Sequence, residues 1–282
     1  MKRLFFISSV FVACCMAVFL LDSCADKKPV QETPQSDTSS IDSVAEDIVE
    51  ELISRMPTTK VTEELFDDFF FNFASSRKVQ KSRIDFPLPV VQDSKTTSIR
   101  IEEWKHDYFF MHNAVYTIIF DNNRQMSAPQ DTSVNKATVE QIDLKAQTIK
   151  QYHFSRKKGE WRMNSIEVSG YENHPNASFL SFYNQFTTDS LFQIRSIADP
   201  LEFSGPDPDD ELSQMEGMLM PEQWSSFAPP LPSGTIYNIV YGSQNAGSNQ
   251  KILLMQGIAN GFLTELVFQK KAGQWQLVRM QI

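Results

Sequence analysis

Residues 66–88 read FDDFFFNFASSRKVQKSRIDFPL, and residues 179–201 read FLSFYNQFTTDSLFQIRSIADPL. Set one above the other, Phe66, Phe69, Phe73, Val79, Ile84, Pro87 and Leu88 meet Phe179, Phe182, Phe186, Phe192, Ile197, Pro200 and Leu201. The spacing is 113 residues throughout, with no gap. Phe66, Phe69, Phe70 and Phe73 stand at i, i+3, i+4 and i+7, one apolar stripe of an α-helix, and Phe179, Phe182, Tyr183 and Phe186 repeat it. The Pro-Leu pair that follows each stripe cannot sit inside a helix and reads as an extended edge or turn, because proline lacks an N–H.

The pattern continues outward from both stretches. Trp104 precedes the strand-forming run Tyr116–Phe120, and Trp224 precedes Tyr237–Tyr241; β-branched and aromatic residues fit a pleated surface. The ends match as well: FSRKKGEWRMNSIEV from Phe154 meets FQKKAGQWQLVRMQI from Phe268, at a spacing of 114 residues. Each reads as strand, glycine-containing turn, strand. Beyond the turn the apolar positions are Trp161, Met163, Ile166 and Val168 in one copy and Trp275, Leu277, Met280 and Ile282 in the other. Those steps of +2, +3, +2 break strict alternation and predict a β-bulge near Asn164–Ser165 and near Val278–Arg279, the alternative being that one inward position is simply polar.

Two copies are too few for a solenoid. The reading is α+β, with two tandem domains over 61–170 and 171–282, each a helix packed on a curved antiparallel sheet. An opening helix with spaced Phe, a Pro-Leu segment and a closing K-x-G-x-W hairpin resemble the cone-like fold of the nuclear-transport-factor-2-like superfamily. The resemblance rests on Phe66, Phe69, Phe73, Pro87, Leu88, Gly159, Trp161 and their second-copy partners. The whole chain also resembles a family of uncharacterised bacterial lipoproteins that carry such domains in tandem. Packing residues of this kind speak for a fold and imply no settled activity.

The N-terminus gives a location. Lys2 and Arg3 precede an uncharged apolar run over residues 4–21, which reads as a signal segment. Leu21-Asp22-Ser23-Cys24 resembles a bacterial lipobox, with Asp22 departing from the pattern; Cys14 after Val12-Ala13 is a rival site, and an uncleaved anchor or plain secretion are the alternatives to lipidation. All three cysteines, Cys14, Cys15 and Cys24, lie at or before that boundary, so a chain cut there has no thiol pair for a disulfide. The expected plan is a leader over 1–23, lipidation of Cys24, and a polar tether with a short amphipathic helix over 24–60. The expected place is the bacterial cell envelope, held by the lipid, with the outer membrane on its periplasmic side or at the cell surface.

The chain has 282 residues, a formal net charge of −9 and 22 Phe. An acidic balance argues against a simple nucleic-acid binder, whose phosphate contacts need clustered Lys and Arg. No Walker loop, nucleophile elbow or dinucleotide glycine pattern occurs. The four histidines do not have zinc-ligand spacing, and neither a metal nor a cofactor is expected. PDPDDELSQMEG, from Pro206, lacks the order of a calcium loop and reads as a solvated loop. Residues 242–249 read as a polar hairpin loop.

The superfamily resemblance implies that some members place an Asp or His in a pocket. His106, Asp107 and His112, with Asp85, are the residues here that would suit acid–base work, since imidazole titrates near neutrality. The candidate pocket residues are Trp104, His106, Tyr116, Trp224 and Tyr237, whose aromatic surfaces suit a sugar or an apolar ligand. The expectation is non-catalytic binding of a small ligand or an envelope protein partner. The alternative is an isomerase- or dehydratase-type enzyme in the first domain.

Overall fold

The computed structural model describes residues 64–207, 210–242, 247–258 and 260–282, all within one compact unit. The leader, Cys24 and the tether with its expected amphipathic helix lie outside the described residues. The phenylalanine stripe forms α1 (Phe66–Ser75), and Phe66, Phe69, Phe70 and Phe73 are all buried. Ser76 then caps α2 (Arg77–Arg83), its hydroxyl accepting from Val79 N at 3.3 Å. The second copy repeats the pair as α3 (Ala177–Thr188) and α4 (Ser190–Arg195). There Asp189 accepts from Leu191 N and Phe192 N, both at 3.0 Å. A short α5 (Trp224–Phe227) follows.

Among the described residues, twelve strands form two six-stranded sheets. The first contains β1 (Leu88–Gln92), β2 (Lys95–Ile99), β4 (Lys136–Asp143), β5 (Thr148–Lys157), β6 (Glu160–Gly170) and β9 (Thr235–Tyr241), in the order β2-β1-β6-β5-β4-β9. The second contains β3 (Val115–Phe120), β7 (Ile197–Asp207), β8 (Asp210–Leu219), β10 (Gln250–Gly257), β11 (Leu263–Lys271) and β12 (Gln274–Gln281), in the order β3-β10-β11-β12-β7-β8. Pairing is antiparallel except for β1 with β6 and β7 with β12, which are parallel. The expected α+β plan of a helix on a curved sheet, written twice, is therefore present.

The packing is repeated almost atom for atom. The Phe154 ring lies 5.3, 5.9 and 5.4 Å from Phe66, Phe69 and Phe73. The Phe268 ring lies 5.3, 5.7 and 5.5 Å from Phe179, Phe182 and Phe186. Burying each such ring stabilises the fold by about 1.5–3 kcal/mol. Both closing hairpins turn through two residues with positive φ, Lys158-Gly159 and Ala272-Gly273, the geometry whose twist matches the flanking strands. Both expected bulges are found. Ser165 pairs with His153 and Met163 with Phe154, leaving Asn164 extra; Arg279 pairs with Val267 and Leu277 with Phe268, leaving Val278 extra.

The two halves exchange a strand. β3, from the first half, pairs with β10 of the second, from Phe120↔Ile252 to Val115↔Gly257. β9, from the second half, pairs with β4 of the first, from Tyr241↔Ala137 to Thr235↔Asp143. Alternate residues of these strands feed both cores: Tyr116, Ile118 and Phe120 enter the first and Ile119 the second, while Tyr237 and Ile239 enter the first and Ile236 the second. Side chains join the exchanged strands, with Ile119 N donating to Asn238 Oδ1 at 2.8 Å and Tyr237 N donating to Thr117 Oγ1 at 3.2 Å.

Buried polar groups also cross between halves. Lys251, 2% exposed, is ion-paired with Asp121 at the end of β3 and donates to Asn176 Oδ1 at 2.5 Å. Glu140, 1% exposed, accepts from Gln151 Nε2 at 2.8 Å and from Asn238 Nδ2 at 2.7 Å, and lies 2.8 Å from His174 Nε2. Burial pushes the Glu140 carboxyl up, but the hydrogen bonds from His174, Asn238 and Gln151 outweigh it and hold the group below the usual carboxylate range.

Two loop readings are corrected. Most of the acidic segment from Pro206 is strand, because β8 pairs with β7 from Met215↔Gly205 through Leu219↔Leu201. β8 is an edge strand, and charged residues there oppose pairing with another chain. The polar segment after Tyr241 is not a hairpin loop: it joins β9 in the first sheet to β10 in the second, a consequence of the exchange.

Candidate functional site

The interior between α1 and the first sheet is filled by phenylalanine, but beyond that plug the sheet continues and a groove of about 640 Å³ opens. That volume is in the range of small-molecule sites, roughly 300–1,000 Å³. Val90, Ile99 and Ile166 floor it from β1, β2 and β6, and Gln141 and Tyr237 wall it from β4 and the exchanged β9. The opposite wall is the loop from Glu103 to Phe109.

Gln80, fully buried in α2, sets that loop. Its Oε1 accepts from Trp104 Nε1 at 3.0 Å and from Asp107 N at 3.1 Å, and its Nε2 donates to the Asp107 carbonyl at 2.6 Å. The second half keeps half of this device: Gln193 Oε1 accepts from Trp224 Nε1 at 2.8 Å. Phe109 adopts a positive φ of 50° and stands its ring edge-on to Tyr152, 4.7 Å between centres. The turn is held by Asp107 Oδ1, which accepts from Phe109 N at 3.0 Å.

Asp107 is the electrostatic centre of the groove. Its Oδ2 accepts from the Tyr152 hydroxyl at 2.5 Å, and Lys150 Nζ lies 3.6 Å away. Burial raises the Tyr152 phenol well above its usual range, and the Asp107 charge adds to it. Burial and the same charge push the Tyr237 phenol up to about 12, so both phenols stay neutral hydrogen-bond groups at physiological pH. His106 Nε2 lies 3.0 Å from the Ala74 carbonyl oxygen, and its ring packs on Tyr108 at 4.2 Å.

Of the residues expected at a pocket, Trp104, His106 and Tyr237 meet in this groove. Tyr116 does not line it; its ring stacks on Phe110 at 4.6 Å and its hydroxyl donates to Gln256 Oε1 at 2.9 Å. Trp224 is 1% exposed and belongs to the second core. His112 stacks on Tyr108 at 4.3 Å on the outer side. Asp85 is engaged elsewhere: burial works against its charge, but Arg162, at 2.6 Å, and Lys157 hold its carboxyl below the usual range. Lys150, Tyr152 and Gln141 were not singled out from sequence. The alternation Lys150, Tyr152, Phe154 along β5 is the signal that places the first two on the same face as the core. Among the described residues, no group of three His, Cys, Asp or Glu could hold a metal ion.

Comparisons with known proteins agree with the fold. The model of a domain of unknown function, DUF4348, matches residues 45–282. Among solved structures, the chain is similar to an NTF2-like protein from Bacteroides fragilis, with 40% identity, a TM-score of 0.72, and coverage of 80% of this chain and 98% of that one. A search of curated proteins finds no match. The chain thus belongs to the DUF4348 family, an uncharacterised family with the NTF2-like fold.

Proposed function

We propose that the protein is an envelope lipoprotein, anchored through Cys24, that binds a small, partly apolar molecule in the groove between Trp104 and Tyr237 without transforming it. The observation that supports binding is that Asp107 and His106 are anchored by the protein itself. Asp107 is held by Tyr152 and Phe109 N, and His106 by Ala74, while apolar and aromatic surface remains open. The groove offers an apolar floor with Gln141 and Lys150 as orienting groups.

The test is a thermal-shift screen of small molecules against the chain from residue 25 onward, repeated with Gln141→Trp. Ligands that raise the melting temperature of the wild type and not of Gln141→Trp are expected. No such ligand, or equal shifts in both proteins, would contradict the reading. For the anchor, Cys24→Ala is expected to move the full chain into the soluble envelope fraction, and retention in the membrane would contradict it.

The meeting of His106 and Asp107 in one groove favours a second reading, an isomerase- or dehydratase-type enzyme. Turnover of a bound ligand that falls at least about 100-fold in Asp107→Asn and His106→Gln would replace the first reading with this one.

A further inference from the structure

The two halves share one plan, so a difference at matched positions carries information. In the first half, the channel between α1, α2 and the β5–β6 turn is occupied by charged side chains. The Arg83 guanidinium lies 5.6 Å from the centre of the Phe69 ring, donates to the Trp161 carbonyl at 3.2 Å and pairs with Glu64 at 3.5 Å. Arg162 pairs with Asp85 at 2.6 Å and reaches Glu160 at 3.9 Å. At the matched positions of the second half, Glu64, Arg83, Asp85, Glu160 and Arg162 become Ala177, Ser196, Ala198, Gln274 and Gln276. These five charges are lost, Lys157 beside Asp85 keeps its charge as Lys271, and the aromatic residues beneath, Phe182 and Trp275, are kept. A groove of about 560 Å³ opens there, between α3, α4 and the β11–β12 turn.

The chemistry of this groove is narrow. Phe182, Phe192 and Trp275 give it aromatic surface, and Ser181, Gln185, Gln274 and Gln276 stand around them. Among the described residues, Arg195 is the only charged one in the lining, and no carboxylate is part of it. A cation would have no counter-charge here. A purely hydrocarbon ligand would leave the amides and hydroxyls unpaired. A molecule with apolar C–H faces and a rim of hydroxyls satisfies both kinds of surface, because amides and hydroxyls donate and accept while aromatic carbon covers the C–H faces.

We infer that this second groove is a saccharide-binding site, separate from the groove of the first half and independent of what that one holds. The same channel, filled by the protein's own arginines in one copy and vacated in the other, is the juxtaposition that carries the inference.

The test uses the chain from residue 25 onward on an array of neutral and acidic oligosaccharides, followed by calorimetry with the best binder. Ser181→Trp, from the exposed face of α3, fills the groove. Gln276→Arg restores the residue that blocks it in the first half. Both are expected to weaken binding at least about tenfold, with melting temperatures near that of the wild type. Gln141→Trp in the first groove is expected to leave it unchanged. If no oligosaccharide binds, or if binding survives both variants, the inference is wrong.

Discussion

Lys251→Met probes the joint between the halves. The ammonium group is 2% exposed and has two partners, the Asp121 carboxylate and Asn176 Oδ1. Methionine fills a similar volume but leaves the Asp121 carboxylate, at the end of the exchanged β3, with Gln125 Nε2 at 3.4 Å as its one hydrogen-bond donor among the described residues. Breaking a buried ion pair by removing one partner costs about 3–5 kcal/mol, because a charge remains without compensation. A domain of this size has a total stability of roughly 5–15 kcal/mol, so the loss is a large share of it. With a urea dependence of about 2 kcal/mol per molar, the midpoint should fall by about 1.5–2.5 M. Asp121→Leu combined with Lys251→Met removes both charges and should recover most of the loss, since apolar replacement of a whole buried pair is often close to neutral. The assay is urea denaturation of the wild type and the two variants, followed by circular dichroism and tryptophan fluorescence. A loss below about 1 kcal/mol, or a double variant no better than the single one, would refute the reasoning.

Further outcomes follow from the same structure. Glu140 has a folded pKa below its unfolded value, so its contribution is fully present above about pH 4.3 and is lost as pH falls through the lower folded value. The stability advantage of wild type over Glu140→Gln should therefore be constant near neutrality and shrink below about pH 4.3; an advantage that grows with acid would contradict the pairing. Gln80→Leu leaves the buried Trp104 N–H unpaired and should cost about 1–3 kcal/mol in chemical denaturation, with Gln193→Leu costing a similar amount through Trp224. Only Gln80→Leu should also alter ligand binding in the first groove. Residues 64–170 and 171–282, made separately, should each give poorly dispersed NMR spectra, because each lacks the strand the other supplies, and should gain dispersion on mixing. Well-dispersed spectra from either piece alone would remove the exchange as a folding requirement.

Much of the fold was legible because it depends on local spacing. The phenylalanine stripe specifies α1 and α3 whatever they pack on. The +2, +3, +2 steps located both bulges, since an extra residue in a strand must break the alternation of faces. The exchange of β3 and β9 was not legible, because strand propensity says that a segment pairs and not with which sheet. A weak sign is present: residues 116–120 and 236–239 are unbroken runs buried on both faces, as central strands are, rather than alternating. The acidic stretch from Pro206 was misread for the converse reason, since its charges reflect an exposed edge and not a missing strand. At the groove, Trp104, His106 and Tyr237 stood out as residue types, whereas Lys150 and Gln141 became site residues only through the pairing of β4, β5 and β9. Matching the two copies position by position also brings out Gln80 and Gln193, which composition alone does not flag.

The most direct test of the proposed function is a crystallographic fragment soak of the chain from residue 25 onward. The expected result is fragment density in the first-half groove, against Tyr237 and the loop that carries Trp104, with polar atoms near Gln141 or Lys150. A groove that stays empty across the fragment set, or fragments that settle only on other surfaces, would contradict a ligand-binding role for this site.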